Sequence, residues 1–270
     1  MRESALCYTW GGGFMAAQVV VDRAKLLAFI NGFGNNIEDL LLEIKDNRIR
    51  GSVDTATHYC SKSMSVMVTA DVTYKPGKVY ISDVSKVATF LKSFSQDLCI
   101  VNQWDGSLNL KIGGDSLQIP SHTHIRSALT LGRAKSAVEQ MIACNYTKIG
   151  PSLLQVNGSI NMDKLTGLGV AVKVAGKDAP CRIKVSPVDS EMVISVGHIV
   201  GGANVIRVVE LGNAWGNEEV VTHFGSHLPN TLACMDSGVV DFYVGDSAAL
   251  VLQHQEKDTL LILKHQQGVN

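Results

Sequence analysis

Between positions 79 and 119 the apolar residues change period twice, and each change marks a new element. Val79 and Ile81 alternate with polar neighbours as in a short strand. Val84, Val87, Leu91 and Phe94 then recur every three or four residues, the spacing of one helix face. Asp83 stands where an N-cap belongs, because its carboxylate can accept from an amide that the first turn leaves unpaired, and Ser95 with Asp97 marks the exit. Alternation returns at Leu98 and Ile100 and again at Leu108, Leu110 and Ile112, on either side of Asp105-Gly106. Asp-Gly between alternating runs predicts a tight hairpin, since a primed turn needs positive φ. Leu117 and Ile119 add one more strand, so the stretch reads as a helix laid on antiparallel strands.

The same order appears before and after it. Val19 and Val21 lead into Asp22, a second N-cap, with Leu26, Leu27, Ile30 and Phe33 on the apolar face. Leu40, Leu42 and Ile44 alternate, Asp46-Asn47 reads as a turn, and Ile49 begins the partner strand. Met64, Val66 and Val68 alternate until Lys75-Pro76-Gly77 breaks the chain. From Pro120 to about Gly158 the pattern lapses into a connector with helical composition over Arg133 to Ile142. Ile160 then leads into a helix over about Asn161 to Lys173, with Leu165, Leu168 and Val172 inward. Ile183, Val185, Met192, Ile194 and the run Val205 to Val209 supply strands. A fourth helix is predicted over about Trp215 to His227, ended by Pro229-Asn230, and strands follow near Leu232 to Met235, Val239 to Val244, Leu250 to Leu252 and Leu261 to Leu263. The division expected is an N-terminal extension (1–16), a first domain (17–120), a connector (121–158) and a second domain (159–270). Two similar halves of this kind make a duplicated α+β architecture.

Composition narrows the function. At 270 residues, 46% hydrophobic and 18% charged, the chain has room for two globular domains. No apolar run approaches the roughly 20 residues that span a bilayer, and the first residues lack the apolar core of a signal peptide, so no membrane association and a cytoplasmic location are expected. Six cysteines lie far apart without a C-x-x-C pair, and most read as buried thiols. A formal net charge of −1 excludes a protein that holds nucleic acid by bulk charge, though not a basic surface on one side. His58, His122 and His124 lack acidic or cysteine neighbours that would complete a metal site. Gly11 to Gly13 and Gly201-Gly202 lack the flanks of a phosphate loop, and no nucleophile, base and acid stand in a recognisable motif. Neither an enzyme nor a cofactor is expected.

The order of elements resembles that of DNA sliding clamps of the trimeric, two-domain type, the group that contains proliferating cell nuclear antigen and the clamps of tailed phages. The resemblance spans about residues 17 to 266. Three stretches carry it beyond element order: Ile49-Arg-Gly-Ser-Val-Asp-Thr-Ala-Thr-His58, the run Val79 to Ile119, and Ser247-Ala-Ala-Leu-Val-Leu252 with Leu260-Leu-Ile-Leu263. The N-terminal extension, the long connector and a final helix with few cations depart from the pattern.

The resemblance implies a processivity factor: a homotrimeric ring closed head to tail, encircling double-stranded DNA without sequence preference and tethering DNA polymerase and a clamp loader through short peptides. By position, Leu108, Leu110 and Ile112 of one chain would face Val205, Arg207 and Val209 of the next. The helices would turn Arg23, Lys25, Lys86, Lys92, Lys164 and Lys173 toward phosphates. Any one of these is by default a solvated surface group; their common orientation on three helices carries the reading. A partner pocket would have Val53 as floor, Ala248 and Ala249 as rear wall, Leu261 and Leu263 as closing strand, and Ile149, Leu153 and Leu154 as lid, although Leu261 and Leu263 serve a core equally well. The location would be a host cytoplasm for a virus and a nucleus for a eukaryote. Two alternatives stay open: a monomeric DNA-binding processivity factor of the same fold, which needs a far more basic face, and an unrelated α+β enzyme.

Overall fold

The computed structural model describes residues 15–34, 37–66, 76–95, 98–104, 107–120, 125–198 and 202–266. The first unit runs β1 (Met15–Asp22), α1 (Arg23–Asn31), β2 (Leu40–Lys45), β3 (Arg48–Asp54), β4 (His58–Ser65), β5 (Gly77–Ile81), α2 (Val84–Lys92), β6 (Leu98–Trp104), β7 (Ser107–Ile112) and β8 (Asp115–Pro120). A connector holds α3 (Ile125–Ala143) and the two-residue strands β9 (Lys148–Ile149) and β10 (Ser152–Leu153). The second unit runs β11 (Val156–Asn161), a 3-10 turn (Met162–Leu165), α4 (Leu168–Ala175), β12 (Cys181–Ser186), β13 (Glu191–Gly197), β14 (Asn204–Glu210), β15 (Gly212–Trp215), β16 (Val220–Phe224), α5 (Leu228–Leu232), β17 (Val239–Val244), β18 (Leu250–His254) and β19 (Thr259–Leu263). With the short β15 set aside, both units read strand, helix, four strands, helix, three strands.

Local chemistry sets these boundaries. The Asp22 carboxylate accepts from Lys25 N at 2.7 Å and that of Asp83 from Lys86 N at 3.1 Å, so each starts its helix as expected. Leu26 and Ile30 of α1 and Val84, Val87 and Leu91 of α2 are buried. Asp46 and Asn47, with φ of 51° and 57°, form the turn between β2 and β3, where two positive φ values match the strand twist. Gly51 is a glycine because a Cβ there would lie 2.5 Å from the ring of Phe33. Asp105-Gly106 falls outside the described residues, but Trp104 pairs with Ser107 across it.

Several expectations fail for physical reasons. The stretch from Trp215 to His227 is not a helix. Val220 to Phe224 alternates between buried and half-buried positions as β16, its β-branched valines and threonine suiting a pleated sheet, and Pro229 opens the short α5 instead of ending a longer helix. Leu232 therefore belongs to α5, and no strand covers Leu232 to Met235. The helix over Asn161 to Lys173 is split, because Gly167 adopts a φ of 84° between the 3-10 turn and α4. The connector helix extends well beyond Arg133 to Ile142. β1 already includes Met15, and β11 begins at Val156, ahead of the boundaries at 17 and 159.

Each unit contributes two sheets: β1-β6-β7-β8 and β5-β2-β3-β4 in the first, β11-β17-β18-β19 and β16-β12-β13-β14 in the second. Antiparallel pairing of β19 with β4 fuses one sheet from each unit into a nine-stranded sheet with β15 at one end. Its inner face packs into the main core with the helices, through residues such as Leu42, Val53, Leu252, Leu261 and Leu263. Its outer face carries Tyr59, Val251, Leu260 and Ile262, which Val138 and Met141 of α3 cover together with Leu154.

Candidate nucleic-acid interface

α1 and α2 lie side by side, tied where Arg23 of α1 donates from Nη1 to the Leu91 carbonyl of α2 at 2.8 Å. Arg23 is thus half-buried and braces the pair of helices. Lys25, Lys92, Lys164 and Lys173 are exposed, and Lys92 and Lys173 sit in last helical turns, where the dipole favours a cation. Lys86 is exposed too but pairs with Asp83 at 2.7 Å, and this ammonium, with the Ser85 hydroxyl, holds the Asp83 carboxyl below its usual range. The absence of the longer fourth helix changes the electrostatics. Glu218 and Glu219 lie between β15 and β16, where Glu219 pairs with Lys184 of β12 at 2.7 Å. α5 itself, Leu-Pro-Asn-Thr-Leu, carries no charge, and the exposed apolar side chains of α4 are Val170 and Val174.

The residues expected to form one partner pocket fall on opposite faces of a sheet. Val53, Leu261 and Leu263 point into the main core and are at most 1% exposed. Ile149, Leu154 and Ala249 belong to the outer cluster, Ala248 is buried, and Leu153 is exposed. The error is one of parity: side chains alternate along β19, so its outer residues are Leu260 and Ile262. That outer face is occupied by the connector. Lys135 of α3 binds Glu43 of β2 at 2.6 and 2.8 Å, and Tyr146 stacks on Tyr243 with centroids 4.5 Å apart. Burial alone would raise the Glu43 carboxyl; the ammonium groups of Lys135 and Lys78 outweigh it and leave the group below its usual value.

At one end of the β4–β19 joint the chain gathers histidines and a lysine. Lys264 Nζ donates to Asp54 Oδ1 at 2.6 Å and to the Thr55 carbonyl. His58 Nδ1 lies 3.0 Å from the hydroxyls of both Thr55 and Thr57. Burial, then the nearby His227 and Lys264, push the His58 imidazole down to about 4. Burial also lowers His227, and burial with His223 lowers His265. Periodicity could not reveal this convergence, because the four histidines come from three separate stretches of chain.

Of the two strands expected to meet between chains, one is not a sheet edge. β7, which holds Leu108, Leu110 and Ile112, is hydrogen-bonded to β6 on one side and β8 on the other, so it has no backbone left to offer a second chain. All three side chains are at most 1% exposed. Among the described residues the edges of this sheet are β8, next to β7, and β1 at the far side. Val205, Arg207 and Val209 do lie on an edge strand, β14, which among the described residues pairs only with β13. Their side chains face inward, Arg207 donating from Nη1 to the carbonyls of Lys164 and Thr166 at 2.9 and 2.8 Å, while Ile206 and Val208 are 60% and 56% exposed on the other face.

Among the described residues no group of histidine, cysteine and carboxylate side chains is arranged to hold a metal ion, and no helix is long and apolar enough to cross a membrane. Cys60, Cys181 and Cys234 are buried free thiols, each raised by burial. No protein-family model matches the chain, and no curated protein does. Solved structures match along nearly all of it. The DNA polymerase III beta subunit of Thermotoga maritima aligns with a TM-score of 0.70 at 11% identity, covering 97% of this chain and 69% of that one. The Pseudomonas aeruginosa subunit gives 0.65 at 12% identity, with 94% and 66% covered. The Helicobacter pylori beta clamp bound to a DNA ligase peptide gives 0.63 at 11% identity, with 94% and 67% covered. The chain spans about two thirds of the length of these bacterial proteins, and it has the α+β fold of their sliding clamps.

Proposed function

We propose that this protein is a non-enzymatic processivity factor, a sliding clamp in which three copies join head to tail around duplex DNA. The observation that carries the reading is that two of the edges left open among the described residues, β8 and β14, match the two strands already joined inside the chain. One joint between units is already made inside the chain, by β19 against β4. The first unit's counterpart of β19 is β8, and the second unit's counterpart of β4 is β14, and both are edges. Two complementary edges on one chain favour a heterologous contact that closes by rotation, and pairing would remove two edges otherwise open to aggregation. The number three comes from the resemblance to two-domain clamps.

The charge distribution fits a ring. A closed ring needs only topology to stay on DNA, so loose attraction by Lys25, Lys92, Lys164 and Lys173 suffices and a net charge of −1 is no obstacle. The monomeric alternative would need a much more basic face. The Helicobacter pylori clamp bound to a DNA ligase peptide supports partners that dock through short peptides, and polymerase and loader would be the partners here. Because the connector covers the outer face of the β4–β19 joint, such peptides would bind beside α3 or displace it. Light scattering after size exclusion tests the ring: a mass near three chains, with retention on circular but not linear DNA, is expected. A monomer at every concentration would overturn it.

A further inference from the structure

The chain's two units correspond strand for strand, so the joint inside the chain is a template for the one between chains. Equivalent residues can be matched from the ends of the strands. β2 and β12 begin at Leu40 and Cys181, which pair with Ile81 and Phe224 at the ends of β5 and β16. The next row, Leu41 with Ser52 with Ser61, then matches Arg182 with Ser195 with Ile206. Cys60 therefore corresponds to Val205 and Lys62 to Arg207. In the other sheet, Asp22 and Asn161 cap the first helical turns and pair with Leu98 and Val239. Following the rows outward matches Leu108 and Ile119 with Leu250 and Leu263. Leu117 then corresponds to Leu261, and Asp115 to Thr259.

Burial agrees with this alignment on both faces. Core-facing Leu261 and Leu263 are matched by Leu117 and Ile119, which also pack inward. The outer residues Leu260, Ile262 and Tyr59, which lie under the connector, are matched by the polar Ser116, Gln118 and Asn204, which are exposed. On β8 the uncovered outer face is polar, whereas on β14 it keeps Ile206 and Val208 exposed beside Asn204.

The inner face adds a charge. Within the chain, Lys62 and Thr259 are the residues one row beyond the Leu260–Ser61 pair and meet on a third residue, Asp236: Lys62 Nζ at 3.4 Å and the Thr259 hydroxyl, as donor, at 2.6 Å. At the corresponding places stand Arg207 and Asp115, so base would face acid directly. Arg207 is held in position by the carbonyls of Lys164 and Thr166.

Resting on the ring proposed above, we infer that a second copy of this chain lays β8 against β14 in one register: Asp115 opposite Arg207, Leu117 opposite Val205, and Gln118 opposite Asn204. A slip of two residues would keep the faces but set the carboxylate opposite Val205 or Val209, so the ion pair selects the register as well as the partner edge. Ile206, exposed in the single chain, gains a neighbouring strand.

Cysteine cross-linking reads the register. In the full chain, Gln118→Cys with Asn204→Cys is oxidised and run on a non-reducing denaturing gel beside the slipped pairs Gln118→Cys with Ile206→Cys and Ser116→Cys with Asn204→Cys. Covalent oligomers from the first pair, at least tenfold more abundant than from either slipped pair or the unsubstituted chain, are expected. An intact oligomer that cross-links best through a slipped pair would overturn the register while leaving the ring standing. A monomeric mass with no cross-link would overturn the ring itself. Charge exchange provides an independent reading: Asp115→Arg and Arg207→Asp should each weaken assembly by about tenfold, and the double variant should recover most of it. Because Arg207→Asp also loses the contacts to Lys164 and Thr166, recovery in the double variant is what a purely structural role would not produce; no recovery would overturn the pairing.

Discussion

Lowering the pH should loosen the joint between the two units through His58. The residue is 8% exposed, its Nδ1 is engaged by two threonine hydroxyls, and its Nε2 is buried with no hydrogen-bond partner among the described residues. A proton on this ring would be a buried charge beside Lys264, and the imidazole accordingly falls from an ordinary 6.5 to about 4. The sign follows from linkage. A base lowered by folding is neutral in both states above 6.5, so its stabilising effect is complete there. Below 6.5 the unfolded chain takes up the proton first, and stability is lost until the pH reaches the folded value near 4. By pH 5.5 the loss is about 1.4 kcal/mol, a tenfold rise in the unfolding constant, and it approaches about 3.4 kcal/mol below pH 4. Urea unfolding of the native chain and of His58→Gln at pH 7 and pH 5.5 measures it, the native chain losing the extra 1.4 kcal/mol. Equal pH dependence in the two proteins, or a His58 resonance titrating near its ordinary value, would refute the burial argument.

Other perturbations separate the remaining roles. Lys25→Glu with Lys92→Glu should lower DNA retention while leaving the solution mass unchanged, and should reduce the salt dependence of binding by about two phosphate contacts per chain; unchanged retention would remove these lysines from the DNA path. Leu261→Asp should cost about 4 kcal/mol or more, because it places a carboxylate in the main core; a well-folded variant that only loses partner binding would restore Leu261 to the partner pocket. Met141→Ala, which strips a fully buried side chain from α3, should cost about 2–5 kcal/mol, or release α3 alone at lower cost; hydrogen exchange confined to residues 131–143 would identify the second outcome. Asn47→Gly should be neutral or stabilising by up to about 1 kcal/mol, since glycine takes the left-handed conformation without strain; a clear loss would mean that the Asn47 side chain matters to the turn.

Much of this molecule is visible as periodicity. Where one face of an element is buried and the other wet, as in α2 or β12, burial leaves a period of 3.6 or 2 in the sequence. Local polar signals, Asp22 and Asp83 as caps and Asp46-Asn47 as a turn, add the boundaries. Periodicity is ambiguous where both readings fit a short apolar run. Val220, Val221, Phe224 and Leu228 match a helical face as well as they match an alternating strand plus the start of the next helix, and Pro229 can open a helix as readily as follow one.

Periodicity and local polar signals along the chain were enough for most of the repeated order of strands and helices and for the caps that start α1 and α2. Which strands are edges, which face of β19 is buried and what covers the other were settled by long-range pairing. Those properties depend on neighbours far along the chain. β7 and β8 have similar alternating patterns, yet among the described residues β7 has two partner strands and β8 has one. Leu260 and Leu261 are adjacent and chemically identical, yet one lies under α3 and the other in the core between the sheets. A pattern along the chain records that a side chain is buried; the contact that buries it is fixed when β19 pairs with β4 across nearly two hundred residues of intervening sequence.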